Sequence, residues 1–231
     1  MQPASIRNTT APAILLAASL LEVLGMLHHP TAHGANVAQA IELIAGLASL
    51  SAVVHGSLIA LMLLTVFGFV EFVVRAGLER PLIRAGLIAY AAGVLVMMGA
   101  ALVSGFIAPD LAASLPHQTP VDLQINAQLL ILCRVLNQSC ANLAVVAMSA
   151  GIVAWSLELC RSRGGSRGVG IFGCVVGLVP AVALLSGQLH LDVHGMTQVV
   201  AAQAAWNIAV AVLLLRHDIG ISPAGNPIAQ S

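Results

Sequence analysis

The chain has 231 residues, 59% of them hydrophobic and only 8% charged, with nine basic and nine acidic side chains and a formal net charge of zero. Soluble proteins average roughly 45–50% apolar and about 25% charged residues, so water is excluded as the main solvent of this surface. The balance of charge gives no basis for nucleic-acid binding.

A membrane-spanning helix needs about 20 mainly apolar residues. Such stretches follow one another near 10–28, 52–74, 84–107, 136–157, 168–187 and 196–215, and their short connections leave no room for a soluble domain. The expectation is an all-α, polytopic integral membrane protein, with residues 1–231 forming one transmembrane domain of about six helices. The first stretch follows Arg7 as the core of a signal peptide would, but Glu22 interrupts it, and it reads as a retained span.

Orientation follows from the arginines, because basic residues near span ends are held on the cytoplasmic side. There is no lysine; Arg7 precedes the first span, Arg75, Arg80 and Arg84 join the second to the third, Arg161, Arg163 and Arg167 join the fourth to the fifth, and Arg216 follows the sixth. This pattern predicts both termini on the cytoplasmic side of a bacterial-type inner (plasma) membrane. Arg134 is the exception, at the outer mouth of the fourth helix, where its guanidinium suits a headgroup, a phosphate or a cofactor anion.

Before the second span, residues 35–50 place Val37, Ile41, Ile44 and Leu47 at helical spacing with Asn36, Gln39 and Glu42 between them, an amphipathic helix. No turn signal separates it from the span, so the second helix is expected either to project beyond the outer surface or to start with an interfacial segment that bends near Gly46 or Gly56. The fourth span is preceded by polar Asn126, Gln128 and Arg134, and both helices are expected to extend past the lipid on the outer face. Ser104-Gly105-x4-Asp110 and Ser186-Gly187-x4-Asp192 end the third and fifth spans and suggest a repeated hairpin. Gly173 and Gly177 form a GxxxG that lets helices approach closely. Cys133, Cys140, Cys160 and Cys174 read as packing thiols, since Cys133 and Cys140 lie about 10 Å apart along a helix, beyond disulfide reach.

The histidines are the most informative feature. His28, His29 and His33 follow the first span, His55 lies inside the second, His117 is in an outer loop, His190 and His194 lead into the sixth span, and His217 falls on the cytoplasmic face. Counting outward from the arginines puts His28, His29, His55, His190 and His194 at one level. If helical, His190 and His194 share a face at i,i+4, as two imidazoles must to share a metal. Glu22 precedes His29 by seven residues on the same helix face. A carboxylate in a span is expensive and needs a polar partner, for which the histidines or an ion they hold are the natural choice.

These placements predict a histidine-lined metal pocket with His28, His29, His55, His190 and His194 as ligands, and Glu22 as a further ligand or acid/base. Asp110 or Asp192 would serve as base or as orienter of an imidazole. His33 and His117 read as loop residues. Nitrogen and carboxylate ligands suit zinc, copper or iron. A zinc-bound water would be a hydrolytic nucleophile, and a lipid-like substrate would enter between helices. Ser51-x3-His55 and His190-x3-His194 resemble motifs of the zinc-dependent membrane hydrolases of the alkaline ceramidase and progestin/adiponectin-receptor type. The likeness covers only these two motifs: those proteins have seven spans, an aspartate soon after the first histidine, and a site on the opposite face.

Three other readings stay open. His55 and His194 would be axial ligands of a haem b, with a quinone nearby. Met26, Met97 and Met98 with the histidines would handle a soft ion in transport. An accessory subunit of a larger membrane complex, or a homo-oligomer, would use the histidines structurally. The lipid bilayer is a partner in every case.

Overall fold

The computed structural model describes residues 9–29, 34–114 and 119–216, and within them every regular element is helical. His33, His117 and His217 lie outside these residues. The helices are α1 (Thr10–Leu27), α2 (Val37–Gly46), α3 (Ala48–Ala76), α4 (Pro81–Leu102), α5 (Ala108–Ser114), α6 (Pro120–Cys160), α7 (Gly165–Leu185) and α8 (Val193–Arg216), with a π-helical turn, Val103–Ile107, joining α4 to α5. Six of these stretches are long and apolar enough to cross a membrane. Leucine, isoleucine and valine side chains stand exposed along their outward faces, as Ile88, Leu95, Val53 and Leu185 do. A surface of this kind is solvated by lipid tails, and the protein is a multi-pass membrane protein.

Local signals set the helix ends. The side chain of Asn36 accepts from the Gln39 backbone N–H at 2.9 Å, while Gln39 Oε1 accepts from the Ala35 N–H at 2.8 Å, which closes the start of α2 from both directions. The bend into α3 falls at Gly46 and Leu47. Thr119 caps α6, with Pro120 in its first turn. At 41 residues α6 is about 60 Å long, twice a typical hydrocarbon core. Gly187, at φ 73°, ends α7 in the left-handed conformation that glycine adopts without steric penalty.

The two Ser-Gly motifs of the suggested repeat are built differently. Ser186-Gly187 terminates α7, whereas Ser104-Gly105 lies within the π-turn of a helical stretch that continues to Ser114. Ser104 Oγ donates back to the Ala100 carbonyl at 3.0 Å, the bond that loosens a helix at serine.

Helix α4 packs most extensively on α6, α6 on α7, and α1 on α8 and α3. Glycine makes these approaches possible: a Cβ at Gly93 would meet Met148, one at Gly86 would overlap the Trp155 indole, and one at Gly173 would overlap Ser156 and Trp206. At the arginine end, Phe69, Trp155 and Trp206 form a buried stack, with Trp155 and Trp206 centroids 6.2 Å apart and 8° from parallel. Both indoles donate to backbone carbonyls, Trp155 to Ile83 at 3.0 Å and Trp206 to Val169 at 3.2 Å. Beyond the stack, Glu158 pairs with Arg161 at 2.8 Å and Arg80 at 3.5 Å.

Candidate metal centre

The opposite end of the bundle, which we call the histidine end, carries the site. His55 is buried on α3. Its Nδ1 lies 2.9 Å from the Ser51 carbonyl oxygen and 3.3 Å from Ser51 Oγ. A carbonyl only accepts, so Nδ1 carries the proton and Nε2 presents a lone pair. Ser51 Oγ in turn donates to the Ser104 carbonyl at 3.3 Å, tying α3 to the π-turn. Gly105, in the same turn, lies flat against His55, so that a Cβ there would occupy the place of the imidazole. π-turns recur at functional sites because the extra residue re-aims its neighbours.

His29, just past the end of α1, brings its Nε2 to 3.1 Å from His55 Nε2, with the rings edge to face at a centroid distance of 4.8 Å. With His55 Nε2 the acceptor, His29 donates its Nε2 proton to that lone pair. Two imidazoles sharing a tetrahedral zinc-like ion at about 2.0–2.1 Å would place their nitrogens about 3.3 Å apart. The observed separation needs only a few tenths of an ångström to admit an ion in place of that proton. His55 also has the support typical of a ligating imidazole, whose far N–H is held by a backbone carbonyl.

The pair stands where two cavities meet. The outer one, of about 610 Å³, is walled by α2 through Val37, Ile41 and Ile44, and by α6 through Ile131, Cys133 and Arg134. The inner one, of about 190 Å³, runs down the bundle towards the aromatic stack. His29, His55, Ser104 and Asn137 line both. Arg134 is exposed at the outer cavity, and no ion pair among the described residues involves it.

The inner cavity is layered. At its histidine end lie the imidazole pair, Ser104, Asn137 and Asp192. One methionine from each of five helices follows: Met26 of α1, Met62 of α3, Met97 of α4, Met148 of α6 and Met196 of α8. At the far end are Glu22, Thr65, Tyr90, Gln203 and Asn207. Thr65 donates to Glu22 Oε1 at 2.9 Å. Gln203 Nε2 and Asn207 Oδ1 are buried with no hydrogen-bond partner.

Of the sequence candidates, the structure brings together His29 and His55. His28 points elsewhere, its Nδ1 donating to the Leu24 carbonyl at 2.9 Å on an exposed helix end. His190 and His194 do not share a helix face, because α8 begins only at Val193; Asp192 caps it by accepting from the Gly195 N–H at 2.7 Å, and Leu191 turns inward while His190 stays exposed. His194 is exposed as well. Glu22 meets Thr65 rather than the imidazoles, since seven residues separate it from His29, about 10 Å along a helix. Asp192 reaches the cavity mouth, and Asp110 lines neither cavity. Among the described residues, no group of three or more His, Cys, Asp and Glu side chains gathers around one point.

Sequence reasoning passed over the far end of the cavity. Its signal was present as Gln203 and Asn207 at i,i+4 inside an apolar span, and as Thr65 ten residues after His55 on the same helix. All four cysteines are free thiols, with Cys133 buried in the outer cavity wall. No known protein family, curated protein or solved structure matches the chain.

Proposed function

We propose that this membrane protein binds a transition-metal ion between His29 and His55 at the histidine end of the bundle. The observation that carries the reading is the 3.1 Å approach of two Nε2 atoms from separate helices, one with its far N–H held by a carbonyl. The ion would displace the shared proton, and solvent or a molecule in the outer cavity would complete its coordination. By the arginine rule the pair faces the periplasm of a bacterial-type inner membrane, with both termini in the cytoplasm. A haem is disfavoured, because His29 and His55 leave no gap for a macrocycle between them and His194 lines neither cavity.

The test is elemental analysis of untagged protein purified in mild detergent without chelator. About one equivalent of zinc is expected in the wild type and in H190A/H194A after reconstitution with zinc, and none in H29A/H55A. Zinc retained by H29A/H55A, or absent from the reconstituted wild type, would overturn the reading.

A second reading, an enzyme acting on a lipid-like substrate, is favoured by the outer cavity. Its size is within the ordinary range for small-molecule sites, about 300–1,000 Å³, and Arg134 stands beside the apolar Leu130 and Ile131 on its α6 wall. When bound, a zinc-like ion would supply Lewis acidity and an activated water. Arg134 would hold an anionic head while α2 and α6 bury the chain. Release of product from lipid substrates by the metal-loaded wild type, lost in R134A without loss of metal, separates this reading from simple metal binding.

A further inference from the structure

We infer that the inner cavity is a second station for a soft monovalent cation of the copper(I) or silver(I) type, entered past the imidazole pair. This rests on the metal reading at His29 and His55 for the route of entry.

The carrying observation is the methionine layer. Five of the six described methionines line this one cavity, each from a different helix, and only Met98 does not. On α1, Met26 lies between Glu22 and His29, and on α3, Met62 lies between His55 and Thr65. On α4, Met97 falls between Tyr90 and Ser104, and on α8, Met196 falls between Asp192 and Gln203. A ligand moving inward from the imidazoles therefore meets thioethers before it meets the far polar groups. Packing alone calls for a flexible apolar side chain here and there; it does not call for one on each of five helices around the same space.

The chemistry of the donors selects the ion. Thioether sulfur is a soft, neutral ligand that favours copper(I) over zinc, magnesium or calcium. Hard dications want six or more oxygens, or octahedral water, whereas the carboxylates of this cavity are Glu22 and Asp192, at opposite ends. Charge points the same way. The penalty for desolvating an ion grows with the square of its charge, so neutral thioethers in a low-dielectric bundle tolerate a monovalent ion far better than a divalent one. One carboxylate, Glu22, stands at the far end to balance a single positive charge.

The second observation is the pair of buried, unpartnered groups on successive turns of α8. Asn207 Oδ1 is an acceptor with no donor and Gln203 Nε2 a donor with no acceptor, each on a residue no more than 6% exposed. Leaving such groups bare is costly, and the cavity has room for about six waters at about 30 Å³ each. An ion with a partial water shell satisfies both, its waters accepting from Gln203 and donating to Asn207.

Silver(I) is the redox-inert probe, used with untagged protein in a background where the four cysteines are alanine, so that thiols do not compete. The wild-type cavity is expected to give two silver equivalents, with sulfur neighbours in the silver X-ray absorption spectrum. M62L/M97L/M196L, which conserves volume, should lose one equivalent or weaken it at least tenfold while keeping zinc at the imidazoles; M98L should lose nothing. H29A/H55A should lose zinc and the outer silver alone. Two undiminished silver equivalents in the triple leucine variant, or silver without sulfur neighbours in the wild type, would overturn the inference and leave the imidazole site intact. Methionine-dependent silver binding without any metal at the imidazoles would sink the outer site instead. Should the triple variant misfold, the absorption spectrum of the cysteine-free protein with all its methionines decides alone.

Discussion

Gly105 lies against the ring and Cβ of His55, in space that any side chain would have to share with the imidazole. Alanine at 105 is therefore expected to push His55 out of line with His29, lowering metal affinity at least tenfold. Overpacking of this sort costs about 1–3 kcal/mol in a tight core. Isothermal titration of G105A with zinc checks the first effect and thermal unfolding in detergent the second; unchanged affinity would mean that His55 is free to move aside.

Ser51 supports His55 in two ways, and only one is removed by mutation. S51A loses the 3.3 Å hydroxyl contact and the tie to Ser104 but keeps the 2.9 Å backbone carbonyl that fixes the tautomer. Removing a whole outer-shell partner typically costs about 10–100-fold in metal affinity, so S51A should fall at or below the lower end. A larger loss would show that the hydroxyl, not the carbonyl, holds the ring.

Acid should empty the imidazole site. Metal and proton compete for the same Nε2 lone pairs, so affinity falls as pH is lowered. Metal content after equilibration against a weak chelator at stepwise lower pH is the measurement, and retention down to pH values where imidazoles are fully protonated would argue against nitrogen ligation.

At the far end, T65V removes the donor to Glu22 and leaves that half-buried carboxyl group without its partner. The expected loss is about 1–3 kcal/mol, read as a lower midpoint of thermal unfolding, with T65S close to wild type. E22Q keeps an acceptor for Thr65 and should be nearly neutral in stability, though not in silver binding.

G86A and G168A make a paired test of packing. A methyl at Gly86 would collide with the Trp155 indole, whereas nothing lies within 4 Å of one at Gly168. G86A should lower stability by about 1–3 kcal/mol and G168A should match the wild type or exceed it. Equal behaviour would mean that α4 and α6 are less tightly joined than their geometry shows.

The spans were legible because hydropathy is a property of whole stretches, and their order follows from it without reference to contacts. The break between α2 and α3 was legible only as one alternative, near Gly46 or Gly56, because the amphipathic pattern gives way to the apolar one without a turn signal; it falls at Gly46 and Leu47. His29 and His55 could be placed at one level by counting from the arginines, but depth says nothing about rotation. That is why His28, one residue from His29, faces away, and why His190 and His194 were read as a pair although Asp192 starts α8 between them. The π-turn at Ser104 and Gly105 left no periodic signal, because one extra residue in a turn shifts phase only locally. The methionine layer was invisible for a related reason: each helix contributes one thioether, and only the folded bundle shows that all five face the same space.

The stacked indoles of Trp155 and Trp206 have a consequence for the cell. They and Phe69 fill the bundle beyond the inner cavity, with Tyr90 between the cavity and the stack and the ion-paired arginines farther on. A through-going polar path would short-circuit the electrochemical gradient that an energised membrane maintains. Two flat, hydrogen-bonded rings act as insulation on the far side of the cavity, so that polar groups at the histidine end need not compromise the seal of the membrane.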